Sequence, residues 1–253
     1  MALFICSLNS DSNGNCYYVG NNEEAVLVDA GLSCRETEKR MARVGLSFAK
    51  VKALFISHEH SDHINGIEVI SKKYKLPVYI NKPTYENSRL KLEEFLLKDF
   101  SSDENIQIGS LAVKAFQKQH DASHPHSFTI SSETTTVGVF TDIGKACKEV
   151  IKHFKLCDAV FLESNYDEEM LEKGSYPYHL KKRISGDYGH LSNQQALELF
   201  KQHKSKKLSC LVLSHLSRDN NDPVLVKNLF EKHAQETKIY VASRYEESPV
   251  MLI

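Results

Sequence analysis

The sequence has 253 residues, of which 41% are hydrophobic and 26% are charged, and its formal net charge is -1. These proportions are typical of a folded globular protein and exclude a disordered chain or a polybasic nucleic-acid binder, although local basic patches are compatible with them. No linker, repeat or long apolar run interrupts the chain, so we expect one domain over residues 1–253, without a signal peptide or membrane span.

Short apolar runs alternate with amphipathic segments along the chain. The apolar runs predict strands at residues 2–8, 16–20, 25–30, 51–57, 77–80, 111–116, 127–131, 135–140, 159–164, 208–215 and 238–242. Helices are predicted to begin near Ser33, Asp62, Pro83, Gly144, Asp167, Ser192 and Asp222. Hairpin-like strands followed by strand and helix alternation predict an α/β fold of two sheets with helices packed outside.

The most informative segment is SHEHSDHING, residues 57–66, which follows the strand predicted at residues 51–57. This turn between a strand and a helix contains His58, His60, Asp62 and His63. Burying such polar groups without partners would cost roughly 1 to 3 kcal/mol for each unsatisfied group. Imidazole and carboxylate groups are ligands of zinc, manganese and iron, so the segment predicts a metal site.

Further residues with ligand side chains stand where other predicted strands end. They are Asp29, His120, Asp142, Glu163 and His215. Functional sites of open α/β folds form at one edge of a sheet, beyond the strand ends. We therefore expect these side chains to converge on the histidine-rich segment.

This ordered set of residues resembles the motifs of the metallo-β-lactamase superfamily, whose signature H-x-H-x-D-H stands here at residues 58–63. The resemblance implies a four-layered αβ/βα sandwich of two mixed sheets. It also implies two divalent metal ions per chain, zinc or manganese with iron as an alternative. One ion would be held by His58, His60 and His120, the other by Asp62, His63 and His215, with Asp142 bridging the two.

Three positions in this implied site need further comment. Asp29 is expected to orient the ligating histidines from behind through hydrogen bonds. His124 and His126 compete with His120 for its role, and the local sequence HDA favours His120. Asp62 is expected either to bind metal or to act as the base that helps to deprotonate the attacking water.

Two further residues indicate which class of reaction the site would catalyse. Glu163 in LESNYD and His190 in GDYGHLSN resemble the pair that protonates the leaving oxygen in ribonuclease Z-like phosphodiesterases. A histidine held by a carboxylate can supply a proton near neutral pH, which a departing alkoxide requires. In the alternative interpretation, His190 caps a helix and Glu163 forms a surface ion pair.

The segments SLNSDSNGNCY, ESNYD, HLSN and LSHLSRDNN together resemble the YycJ/WalJ-type branch of the superfamily. This resemblance implies a double-strand DNA exonuclease that uses a metal-bridging hydroxide. One alternative is a small-molecule hydrolase of the same fold, acting on a cyclic phosphodiester, a thioester or a lactone. The other is a non-catalytic, metal-binding regulatory protein.

Two segments could contact nucleic acid, for which DNA is the expected partner. Tyr166, Tyr176, Tyr178 and Tyr188 surround the basic stretch HLKKR at residues 179–183, and aromatic and basic residues together can stack bases and bind phosphates. A tyrosine-rich loop packed over the core is the alternative. Backbone amides of a turn at residues 13–15 could also approach a phosphate, although a plain hairpin turn is favoured.

The number and spacing of the cysteines indicate the cellular compartment. The six cysteines form no C-x-x-C pair, which argues against a disulfide framework and a thiolate zinc site. We therefore expect a reducing, cytoplasmic location. The sequence leaves the oligomeric state open.

Overall fold

The computed structural model describes residues 2–253, and these contain two sheets of seven strands each. The strands are β1 (Phe4–Asn9), β2 (Cys16–Gly20), β3 (Ala25–Val28), β4 (Val51–Phe55), β5 (Val78–Tyr79), β6 (Leu97–Lys98), β7 (Asn105–Ile108), β8 (Leu111–Gln117), β9 (His126–Ser131), β10 (Thr136–Phe140), β11 (Ala159–Glu163), β12 (Cys210–Ser214), β13 (Lys238–Val241) and β14 (Met251–Leu252). The first sheet has the order β14-β1-β2-β3-β4-β5-β6 and the second the order β13-β12-β11-β10-β9-β8-β7.

Helices connect these strands and cover the sheets. Within the described residues they are α1 (Cys34–Arg43), α2 (Ser61–Ile64), α3 (Ile67–Tyr74), α4 (Lys82–Asn87), α5 (Lys148–Phe154), α6 (Glu168–Lys173), α7 (Tyr178–Ile184), α8 (Asn193–His203) and α9 (Pro223–Glu231). Several begin at the capping residues that the sequence predicted. The side chains of Ser33, Asp167 and Asp222 each accept a hydrogen bond from a first-turn amide of the helix that follows.

Three apolar clusters hold the layers together. Tyr17, Phe55, Phe128 and Phe161 belong to the cluster formed by the facing sides of the two sheets. A second cluster joins α5, α8 and α9 to the outer face of the second sheet, and a third joins α1 and α3 to the first. The resulting order of helix, sheet, sheet and helix confirms the predicted four-layered sandwich.

Strand direction brings the functional segments to one edge. In the first sheet β3, β4, β5 and β6 are parallel, and in the second β10, β11, β12 and β13 are parallel. β8 is antiparallel to β9, which is antiparallel to β10, so β8 and β10 run in the same direction. The carboxyl ends of β8, β10, β11 and β12 therefore lie at the same edge of the second sheet.

The predicted strands are all present, but other elements differ from expectation. β6 and β14 have two residues each, which is too short to show a pattern, and α7 buries no side chain. The helix expected near Gly144 begins at Lys148, because Gly144 packs against the loop at Asp187, where an added Cβ would lie 2.1 Å from the Asp187 carbonyl oxygen.

The helix expected from Asp62 onward is divided into α2 and α3 around Gly66. The amide of Gly66 donates to the carbonyl of Ala30, which holds the chain against the turn after β3. No helix in residues 2–253 is both long and apolar enough to span a membrane. The expectation of a single domain over residues 1–253 stays a prediction, and residue 1 lies outside the described residues.

Candidate active site

Turns directly after strands carry the predicted site residues. Asp29 follows β3, the segment at residues 58–63 follows β4, Asp142 follows β10 and His215 follows β12. Asp29, Asp142 and His215 have φ values of 59°, 55° and 56°. Left-handed backbone costs a non-glycine residue about 1–2 kcal/mol. Such strain concentrates at functional sites, where the surrounding structure holds it in place.

Asp29 lies behind the histidines and contacts His63 and Ser57. Its Oδ2 lies 2.8 Å from His63 Nδ1 and its Oδ1 accepts from the amide of Ser57 at 2.8 Å. The hydroxyl of Ser57 donates to Asp29 at 2.8 Å and lies 2.9 Å from His58 Nδ1. The Nδ1 atoms of both rings are thereby engaged, which leaves each Nε2 facing the interior of the site.

Three histidines form the first group of candidate ligand atoms. His58 Nε2 lies 3.0 Å from His60 Nδ1, and the ring centroid of His120 lies 4.9 Å from that of His58. His120 Nδ1 donates to the carbonyl of Gly189 at 3.0 Å, so its Nε2 points toward the other two rings. One nitrogen of each ring lies within 4.8 Å of the others.

A second group contains Asp62, His63 and His215, and Asp142 lies between the two groups. His63 Nε2 is 3.3 Å from an oxygen of Asp62 and 3.3 Å from Asp142 Oδ2. Asp142 Oδ1 is 3.4 Å from His215 Nε2 and 3.8 Å from His120 Nε2. The structure thus brings together all seven residues for which metal binding was predicted.

The donor set fits divalent cations. Within residues 2–253, His120 Nε2, Asp142 Oδ2 and His215 Nε2 are buried and have no hydrogen-bond partner. Burial opposes ionisation of Asp142, but the neighbouring His215 and His63 hold its pKa well below its usual range. Burial also lowers the pKa of His120 to about 4. Burial opposes protonation of His63 too, but the carboxylates of Asp142 and Asp62 raise its pKa to about 10.

Glu163 and His190 form a pair beside these groups. Glu163 Oε1 lies 2.8 Å from His190 Nδ1 and 3.0 Å from His215 Nδ1. Burial opposes ionisation of Glu163, but the two histidines lower its pKa to about 2. The surface ion pair considered as an alternative is contradicted, because Glu163 is fully buried, and Ser192, rather than His190, caps α8.

The other histidine candidates lie outside the two groups. His126 Nε2 lies 2.8 Å from the hydroxyl of Ser102, and its Nδ1 lies 3.3 Å from the amide nitrogen of Asn81. The ring of His124 packs against that of His126 at 4.8 Å between centroids. His120 is therefore the histidine of this segment that the fold brings to His58 and His60.

Two residues that contact the site, Asn15 and Gly31, were not predicted to do so from the sequence. Asn15 Nδ2 lies 3.1 Å from His63 Nε2 and 3.2 Å from Asp62 Oδ2. The amide of Asn15 donates to the carbonyl of Asp62 at 2.7 Å, so it is not free to approach a phosphate as considered above. An added Cβ at Gly31 would lie 1.7 Å from that carbonyl oxygen, so only glycine fits there.

Comparisons with known proteins identify the family of this chain. A family model described as Beta-lactamase superfamily domain matches residues 24–215. The chain is 33% identical over 254 residues to Exodeoxyribonuclease YycJ of Bacillus anthracis, covering 97% of this chain and 94% of the relative. It is 32% identical over 219 residues to Exodeoxyribonuclease WalJ of Streptococcus pneumoniae, covering 85% and 81%. The metallo-beta-lactamase fold protein YhfI from Bacillus subtilis shares the fold, with a TM-score of 0.77 over 100% of both chains at 15% identity.

The fold and the cluster of histidines and carboxylates define the class: a metal-dependent hydrolase. The chain belongs to the metallo-β-lactamase superfamily and, within it, to the branch that contains the YycJ and WalJ proteins. The resemblance seen in the sequence is thereby confirmed.

Proposed function

We propose that this protein is a dinuclear phosphodiesterase that degrades double-stranded DNA from an end. The observation that carries the proposal is the pair formed by Glu163 and His190, because a histidine held by a carboxylate could donate a proton and it lies beside two groups of candidate metal ligands. The similarity to two exodeoxyribonucleases over most of the chain supports DNA as the substrate.

In this proposal, His58, His60 and His120 hold one divalent ion, Asp62, His63 and His215 hold the other, and Asp142 lies between them. The two ions would activate the attacking water and stabilise negative charge on the phosphate oxygens. The side chain of Asp62 is 18% exposed, more than those of His63 and Asp142, so it can also accept the proton of the attacking water.

His190 acts on the leaving group. Glu163 accepts a hydrogen bond from His190 Nδ1, which leaves Nε2 as the ring nitrogen that can hold a proton for the leaving group. Water attacks phosphorus, the bond from phosphorus to the leaving oxygen breaks, and His190 Nε2 gives its proton to that oxygen. Without this proton the departing alkoxide would be a poor leaving group.

The first experiment follows cleavage of end-labelled linear duplex DNA and of covalently closed circular DNA of the same sequence. We expect the wild type to shorten only the linear DNA when Mn²⁺ or Zn²⁺ is supplied, and Asp142→Ala to lose both metal and activity. Equal degradation of the circle would refute the requirement for an end. Hydrolysis of methyl p-nitrophenyl phosphate without any cleavage of DNA would refute DNA as the substrate and favour a small-molecule hydrolase.

The second experiment tests the proton donor. His190→Ala is expected to slow DNA cleavage by roughly 10²- to 10⁴-fold more than hydrolysis of methyl p-nitrophenyl phosphate, whose p-nitrophenolate leaves without a proton. Metal content should stay at the wild-type value. An equal loss on both substrates would contradict the role of His190 as an acid, and loss of metal would identify it as a ligand.

A further inference from the structure

The four tyrosines between Glu163 and His190 have different environments. Tyr166 is 4% exposed, and the hydroxyl of Tyr176 donates to Asp219 at 2.9 Å. Tyr178 and Tyr188 are 73% and 59% exposed. Of the four, therefore, Tyr178 and Tyr188 have the most exposed rings.

Tyr188 is fixed close to the active site by its neighbours in the loop after α7. The carbonyl of the next residue, Gly189, accepts the hydrogen bond from His120 Nδ1. The amide of His190 donates to the carbonyl of Ile184 at 2.8 Å, and that of Gly189 to the carbonyl of Gly186 at 2.8 Å. The backbone at Tyr188 thus has a defined position relative to a predicted metal ligand and to the predicted acid.

A cavity of about 540 Å³ borders the site on this side, and Tyr188 and His120 both line it. Its volume lies within the range of about 300–1,000 Å³ found for ligand pockets. The exposed Lys148 and the amide side chains of Gln117 and Gln119 contribute to the same lining. Within residues 2–253, Gln119 Oε1 is buried without a hydrogen-bond partner, so an acceptor is available there.

The charge of this cavity suits a phosphate. Lys148 has no carboxylate within 4.0 Å among the described residues. The one carboxylate in the lining, Glu149, lies 2.8 Å from Lys152, which offsets its charge. Tyr178 lines a different cavity, in which Lys181 and Lys182 face Glu168 and Glu172.

We propose that the cavity at Tyr188 binds the nucleotide next to the scissile phosphate, with its base stacked on the Tyr188 ring and its other phosphate against Lys148. This inference rests on the proposed function.

The test compares Tyr188→Ala, Tyr188→Phe and the matched control Tyr178→Ala. For each variant, kcat/KM is measured on an end-labelled oligonucleotide and on methyl p-nitrophenyl phosphate, which has no base. Stacking on an aromatic side chain predicts that Tyr188→Ala lowers the ratio of the two values roughly 5- to 150-fold. Tyr188→Phe, which retains the ring, and Tyr178→Ala should keep the wild-type ratio.

A substrate series identifies the stacked base. Single abasic nucleotides are placed in turn at the four positions nearest the digested end. At one position the abasic substrate should be cleaved equally well by wild type and Tyr188→Ala. If the difference between the two proteins persists at every position, or if Tyr178→Ala has the larger effect, the proposal is overturned.

Lys148 gives an independent readout. The slope of log DNA affinity against log salt concentration reports how many phosphates the protein contacts. If the ammonium of Lys148 contacts a phosphate, Lys148→Ala should reduce the magnitude of this slope by about 0.7 to 0.9. Lys155→Ala, at the other end of α5, should leave the slope unchanged. An unaltered slope in Lys148→Ala would overturn its assignment. Wild-type protein that cleaves no DNA would instead refute the proposed function, a result distinct from failure of the cavity assignment.

Discussion

The substitution Glu163→Gln tests how strongly the fold depends on one buried carboxylate. Glu163 is fully buried, and four nitrogen donors converge on its two oxygens. Oε1 faces the Nδ1 atoms of His190 and His215, and Oε2 accepts from the amides of Ile143 and Leu191 at 2.7 and 3.1 Å. Glutamine has nearly the same shape but only one acceptor oxygen, so its NH₂ group would face two of the four donors.

These contacts determine the expected decrease in the free energy of unfolding. Two buried donors without an acceptor cost about 1–3 kcal/mol each, so the free energy of unfolding should fall by about 2–6 kcal/mol. Removing a buried charge also relieves its desolvation, so we expect a value near the lower end of this range. A loss of 2 kcal/mol corresponds to a decrease in Tm of about 4 to 8 °C for a protein of this size.

The assay is urea unfolding of chelator-treated protein, so that metal binding does not contribute. Glu169→Gln is the matched control, because this side chain is 72% exposed and pairs with the exposed Lys173. The control should change the unfolding free energy by less than about 0.5 kcal/mol. Equal stability of Glu163→Gln and wild type would refute the inference that the four donors depend on this carboxylate.

Three further results are expected. Gly31→Ala should lower Tm and metal content, because its methyl group would overlap the metal-binding segment. In the control Gly186→Ala the nearest neighbour lies at 3.1 Å, so both quantities should change much less. Equal losses of Tm and metal in the two variants would contradict this. Thiol titration of the native protein at pH 8 should detect one fast-reacting cysteine, Cys147, because burial raises the pKa of the other five thiols. Detection of several fast-reacting thiols would contradict the burial found in residues 2–253. A hydrogen bond from Lys73 lowers the pKa of Glu38 to about 2, so its stabilising effect is present above the usual pKa and is lost as the pH falls toward 2. When the pH is lowered from 7 to 3, the unfolding free energy of the metal-free wild type should therefore fall by about 1 kcal/mol more than that of Glu38→Gln, after allowance for solvent screening. An equal fall in the two proteins would contradict this role of Glu38.

The sequence was most informative where chemistry and strand ends coincide. Apolar runs that end in Asp29, Asp142 or His215 are visible as patterns, because each buried strand is followed at once by a polar residue. The ordered motif then indicated the fold as well as the site. The alternation of polar and apolar residues in β7, Asn105–Ile108 (NIQI), matches its alternating burial and is also visible in the sequence.

What could not be predicted depends on contacts between distant segments. Nothing local shows that Asn15 lies beside Asp62 and His63, or that Gly31 must accommodate a carbonyl from a later turn. The left-handed backbone at the strand ends is likewise imposed by tertiary packing. α7 was missed because its residues bury no face, and helix prediction relies on an apolar stripe.

The distribution of ligands along the chain has a consequence for biosynthesis. Each of the two groups of predicted ligands combines residues from both sheets, and about 150 residues separate His63 from His215. At translation rates of about 5–20 residues per second, the histidine-rich segment is made roughly 8 to 30 s before its last partner. A nascent chain therefore contains the signature motif without a complete site, and activity can begin only after synthesis has passed His215 and the second sheet has docked on the first.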